Sequence, residues 1–192
     1  RVFAGFSLSV VAGMLIGVPA GIKSAVRSAF GPVLAIIRTT PIMSVILIAL
    51  LWFETGTVPV FSAFLIGFPV VVQNVIAGIR QTDTRLIEMG RAYGFTARRM
   101  LTAVYIPSVV PYLVSGAQTA LGLTWKVVVA AEVLSLPRHG IGAKMQYAQM
   151  SLETAEVFAW TAVAIICAGV SHMLLSQLLR LFPWRSGGAD TV

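Results

Sequence analysis

Five apolar blocks, Val2–Ile22, Ser28–Phe53, Val58–Ile79, Ser108–Leu134 and Val157–Leu179, alternate with polar breaks along the chain. Each reaches the roughly 20 residues that a helix needs to cross the hydrocarbon core of a bilayer. The pattern therefore predicts an all-α, polytopic transmembrane helical bundle with five visible spans. The first block carries a small residue at every fourth position: Gly5, Ser9, Gly13, Gly17 and Gly21. Such a row lets another helix approach closely in lipid. The second block is interrupted by Arg38 and Pro41, and the third holds Pro69, which predicts a kink. The fourth is expected to bend near Pro111 and contains Trp125, Lys126 and Glu132. Ser135–Glu156 reads as a polar connector with an amphipathic piece, and residues 184–192 read as a disordered tail.

The longest polar break, Arg80–Pro107, is too patterned for a solvated loop. It holds Arg80, Asp83, Arg85, Glu88, Arg91, Arg98 and Arg99. Asp83 suits the N-cap of a helix over Thr84–Tyr93, which Gly94 ends in a left-handed conformation. Thr96 suits the cap of a second helix over Ala97–Tyr105, stopped by Pro107. Leu86, Ala92, Met100, Leu101 and Val104 offer apolar contacts. A polar helical hairpin between spans is built to touch something outside the membrane.

Composition agrees with the pattern. Of 192 residues, 57% are hydrophobic and 11% charged, whereas a soluble domain carries about 25% charged residues. The net charge of +7 does not point to nucleic acid, because the basic residues are dispersed between apolar blocks. Their distribution sets orientation instead. Lys23, Arg27, Arg80, Arg85, Arg91, Arg98, Arg99, Arg180 and Arg185 collect on one side, against Arg138, Lys144 and Arg1 on the other. The positive-inside rule then puts the hairpin and the C-terminus in the cytoplasm and the connector outside.

Little suggests chemistry in the chain itself. Cys167 is the only cysteine and lies in an apolar block, so no internal disulfide or cysteine metal cluster forms. His139 and His172 lie on different segments. No phosphate-cradling glycine loop, zinc-binding helix motif or internal repeat is visible.

The hairpin resembles the EAA loop of importer-type ABC transporter permeases, whose pattern is Glu-Ala-Ala, three residues, Gly, nine residues, then Ile-x-Leu-Pro. Here Glu88-Met89-Gly90 is followed by Arg91-Ala92-Tyr93, then Gly94, nine residues, and Val104-Tyr105-Ile106-Pro107. The spacing matches throughout; Met89 and Gly90 replace the two alanines, and Val104 and Ile106 the Ile and Leu. Arg1–Gly17, which looks like a second span, the segment from Arg38-Thr-Thr-Pro41 through Leu51-Trp52-Phe53, and the run Ala120–Glu132 are similar to the nitrate, sulfonate and taurine branch. The resemblance implies a type I importer fold over residues 1–183, commonly of six spans, with one expected before Arg1. It also implies a second permease copy, forming a homodimer, two cytoplasmic ATPases that bind ATP and Mg, and an extracytoplasmic solute-binding protein. No cofactor is implied in this chain, no catalytic residue and no metal ligand.

The resemblance assigns Glu88, Gly90, Ala92, Gly94, Arg98, Arg99 and Pro107 to ATPase coupling. Arg98 and Arg99 equally suit anionic headgroups of membrane lipid. Charges inside spans are costly and therefore candidates for function, which puts Arg38, Lys126 and Glu132, with Trp125, on a translocation path for a small anion. The competing readings are that Arg38 snorkels to the headgroups and that Glu132 pairs locally near the outer surface. Two other functions stand beside the importer. An ion-coupled transporter or channel would work without an ATPase, and a scaffold would recruit a partner without moving a solute.

Overall fold

The computed structural model describes residues 1–180, so the tail expected over 184–192 lies outside it. The elements in order are α1 (Val2–Ile22), α2 (Ser24–Thr39), α3 (Ile42–Trp52), α4 (Val58–Arg80), α5 (Thr84–Ala92), α6 (Ala97–Met100), a π-helical turn (Leu101–Tyr105), α7 (Ile106–Ser135), α8 (Ile141–Met150) and α9 (Thr154–Arg180). No strand occurs among the described residues.

The small-residue row of α1 is the seam of the fold. A β-carbon added at Gly5, Gly13, Gly17 or Gly21 would stand 2.6–2.8 Å from side-chain atoms of Ala63, Val71, Val75 or Ile79 respectively. Ser9 occupies the fifth place, opposite Gly67, and donates from Oγ to the Phe64 carbonyl at 3.1 Å. Every pair of residues opposed across the seam is 58 apart in sequence, so α1 and α4 run parallel in fixed register. Since both helices point the same way, α2 and α3 together must return the chain across the membrane once. Sequence reading expects that span as Ser28–Phe53. It is instead a broken one, bent by 97° between α2 and α3. Thr40, as the residue before Pro41, is extended (φ −70°, ψ 128°), the conformation that proline imposes on its predecessor.

α4 passes through the buried Pro69 without ending and is the most buried of the four long spans. Its other face meets α7, with Gly78 against Val109 and Tyr112, and Asn74 against Gly116. Those pairs descend on α4 as they ascend on α7, so the two helices are antiparallel. Val71, Val75 and Ala120 form the core between them, and α1 completes it through Phe6, Val10 and Met14. α8 folds back onto the end of α7, and α9 packs on both but stays largely bare, exposing Phe158, Ile165, Ile166, Met173 and Leu174.

The end of the hairpin differs from expectation. Pro107 does not stop the second helix. The chain stays helical from Ala97 to Ser135, because Leu101–Tyr105 widens to a π turn. There the Ile106 N–H reaches the Leu101 carbonyl, five residues back. The wider turn accommodates the N–H that Pro107 lacks.

Candidate functional site

The hairpin is built from local signals that the sequence does display. Asp83 Oδ1 accepts the Arg85 N–H at 2.8 Å and caps α5. At the other end Gly94 adopts φ +66°, and the Phe95 N–H donates back to the Gly90 carbonyl at 2.8 Å. Thr96 Oγ1 accepts from the Arg99 N–H at 3.3 Å and starts α6. The Arg99 guanidinium lies over the Phe95 ring, 4.4 Å from its centroid, which fixes it against the turn.

One contact within the hairpin has no signal in the sequence. Gly90 is buried, and a β-carbon there would meet Met100 Cε at 2.7 Å and Phe95 Cδ2 at 3.2 Å. The absence of a side chain at Gly90 lets α5 lie against the second helix. Of the apolar residues of the hairpin, Val104 is buried and Met100 half-buried, whereas Leu86, Ala92 and Leu101 are exposed. At the root, Tyr112 Oη donates to Gln81 Oε1, tying the end of α4 to the start of α7.

The outer surface of the hairpin is unengaged. Glu88, Arg91 and Arg98 are exposed, and among the described residues the sole ion pair is elsewhere, between Arg1 and Glu132. Glu88 and Gly94 thus present a charge and a turn on a compact two-helix element that continues directly into a span.

The four intramembrane candidates do not converge within one chain. Arg38 Nη1 donates to Gln73 Oε1 at 2.6 Å in the angle between α2 and α4. Trp125 and Lys126 border a cavity of about 590 Å³ between α7 and α9, with Thr161 and His172 on its far wall. Trp125 Nε1 is buried and has no hydrogen-bond partner among the described residues. Glu132 is 5% exposed and lies at the α7–α8 corner. Its Oε1 accepts from Arg1 Nη1 at 2.7 Å and its Oε2 from the Gly142 N–H at 3.0 Å. Gly140 leaves room for this carboxylate, since a β-carbon would sit 2.6 Å from its Cδ. The second nitrogen contact of Arg1, to the His139 carbonyl, closes the corner. Glu132 is thus paired with Arg1, 131 residues away in sequence, and with the Gly142 N–H. Among the described residues no three His, Cys, Asp or Glu side chains gather as metal ligands.

Comparison with known proteins covers nearly the whole chain. Residues 9–183 match the family model described as binding-protein-dependent transport system inner membrane component. A putative aliphatic sulfonates transport permease protein, SsuC, of Bacillus subtilis (strain 168) is 29% identical over 97% of this chain and 68% of its own length. The taurine transport system permease protein TauC of Escherichia coli (strain K12) is 28% identical over 96% of this chain and 67% of its own. Among solved structures, an inward-facing form of the MetNI methionine ABC transporter superposes with a TM-score of 0.69. It covers 94% of this chain and 92% of the matched one, at 17% identity, a likeness of fold alone.

Proposed function

This chain belongs to the family of binding-protein-dependent transport system inner membrane components, and from that membership we propose how it couples and what it carries. The family is one of transport permeases, not enzymes, and the fold is that of an ABC importer permease. Within that frame the hairpin Arg80–Pro107 is the cytoplasmic coupling element. Glu88, Gly90, Ala92, Gly94, Arg98 and Arg99 form the part that docks on an ATPase subunit, and Pro107 lies beyond the π turn that joins it to the span.

One observation carries the reading. An exposed hairpin, rigid within itself and without ionic partners among the described residues, runs into a helix that is continuous from Ala97 to Ser135. At 1.5 Å per residue that helix is about 58 Å long. A displacement imposed at Glu88 is therefore delivered as a tilt of α7, and through the close α7–α4 and α4–α1 seams to the rest of the bundle. ATP binding and hydrolysis take place on the partner ATPases, and this chain converts their closure into alternating access.

The bare faces of α9 suit lipid or a second copy of the chain, and a homodimer with two ATPases and an external solute-binding protein is the assembly proposed. The solute is a small molecule with an anionic group. Both relatives described above are named for sulfonates or taurine, and Arg38 and Lys126 supply positive charge inside the spans. The test is reconstitution of the permease with its ATPase and binding protein in vesicles. Uptake of taurine or an alkanesulfonate that needs ATP inside or outside the vesicle, on the hairpin side, supports the reading. Uptake driven by an ion gradient without the ATPase overturns it.

A further inference from the structure

Two helix faces meet over a cationic groove that packing and the hairpin leave unexplained. On α4, Gln73, Ile76, Ala77, Arg80 and Gln81 recur at helical spacing, and on α2 Arg27, Gly31 and Leu34 do the same. Together they bound a cavity of about 520 Å³. Arg38, one turn beyond Leu34, is exposed and bonded to Gln73, which lines the cavity at the end away from Arg80. Gln73 precedes Arg80 by two turns, so the Arg38 guanidinium sits about 10 Å back along α4 from its basic end.

The groove offers donors and positive charge. A guanidinium has no acceptor, so Gln73 must turn its oxygen toward Arg38, which leaves its amide N–H groups free for the cavity. At the mouth, Arg27 reaches only the Ala20 carbonyl at 3.5 Å. None of Arg27, Arg38 and Arg80 has a carboxylate partner among the described residues. An arginine within an apolar helix pair and without a counter-charge is unfavourable in lipid unless water or an anion reaches it. Gly31 stands in the wall, and a β-carbon there meets nothing within 4 Å.

We propose that this α2–α4 groove is an anion-binding site, in which Arg38 and Gln73 receive the anionic group of the solute and Arg27 and Arg80 release it on the basic side. The proposal rests on the reading of the chain as an importer of anionic solutes. A lipid phosphate headgroup shares the same chemistry, and the experiment separates the two sources.

The probe is a pair of thiol reagents, a sulfonate-bearing and a trimethylammonium-bearing methanethiosulfonate, applied to Gly31→Cys in a Cys167→Ser background. The assembled transporter is placed in vesicles of phosphatidylcholine alone or mixed with phosphatidylglycerol. After correction for reaction with a free thiol, the sulfonate reagent is expected to react at least about tenfold faster than the cationic one. Arg38→Gln with Arg80→Gln abolishes the preference, Arg38→Lys keeps it, and excess ethanesulfonate slows labelling in both vesicles. Equal rates for the two reagents in both vesicles overturn the site. A preference suppressed by phosphatidylglycerol and untouched by ethanesulfonate assigns the groove to lipid and overturns the solute role. If the preference holds but the assembly imports no sulfonate, the groove stands and the transport reading falls.

Discussion

Gly13 of α1 lies so close to Val71 of α4 that a β-carbon on the glycine would stand 2.6 Å from the valine Cβ. The two helices touch nearly backbone to backbone, and they do so repeatedly along the seam. Gly13→Leu is therefore expected to force the pair apart and lower the thermal midpoint, by a penalty toward the upper end of the roughly 1–3 kcal/mol seen for overpacking. Gly169→Leu on α9, where an added β-carbon meets nothing within 4 Å, is expected to leave the midpoint nearly unchanged. Thermal unfolding of both purified variants checks the contrast.

Glu88 is exposed and makes no ion pair among the described residues. Glu88→Ala should alter the stability of the permease by no more than about 0.5 kcal/mol. It should reduce both the ATPase retained on the purified permease and the hydrolysis stimulated by solute-loaded binding protein. Retention and stimulation equal to wild type would remove Glu88 from the coupling surface.

Gly94 holds φ +66° in open space, so a substitution there acts through the backbone, not through bulk. Gly94→Val should strain the turn by about 1–2 kcal/mol, and Gly94→Asn by less, because asparagine tolerates the left-handed region. Solute-stimulated hydrolysis should fall in the same order. An Asn variant as impaired as the Val variant would argue against a conformational cause.

At Gly90 the nearest obstacle is the terminal methyl of Met100, a flexible group. Gly90→Ala, the residue of the resembled motif, should be accommodated by a shift of Met100 with little change in coupling. Gly90→Leu should splay the hairpin and uncouple hydrolysis from solute, and Met100→Ala should restore part of the loss. A double-mutant cycle on stimulated hydrolysis reads that interaction directly.

Glu132 satisfies Arg1 and the Gly142 N–H together. Glu132→Ala leaves the Gly142 N–H without its acceptor at a buried corner and Arg1 with the His139 carbonyl alone, and should destabilise by about 1–3 kcal/mol. Glu132→Gln keeps an oxygen for Gly142 and should lose less. Thermal midpoints of the two variants settle the order, and equal loss would mean that the ion pair dominates.

The parts of this fold legible in the sequence are those whose cause is local. The row from Gly5 to Gly21 announces a close helix contact, and Asp83, Gly94 and Thr96 announce the hairpin ends, because spacing and capping act within a few residues. The partner of the row is not announced. The α4 positions opposite it are mostly ordinary apolar residues, and only packing fixes their register with α1. Pro107 misleads for a related reason: alone it reads as a stop, whereas the π turn before it removes the conflict. The pairing of Glu132 with Arg1 spans most of the chain, beyond any local signal. Gly90 reads as a weak helix position until Met100 is seen beneath it. At the candidate site, the hairpin motif was visible by spacing, while the groove beside Arg38 depends on Gln73, a neutral residue in an apolar block.

The π turn Leu101–Tyr105 has a geometric consequence of its own. An α-helix advances its azimuth by about 100° per residue, and a π turn takes in roughly one residue more than its α-helical neighbours. Deleting a single residue there would restore uniform winding and leave α6, Gly94 and α5 at nearly the same bearing around the axis of α7, whereas deleting one residue from the α-helical part of α7 would swing them by about 100°. The π turn thus takes up one residue of chain length without changing the compass bearing of Glu88 relative to the Gln81–Tyr112 tie.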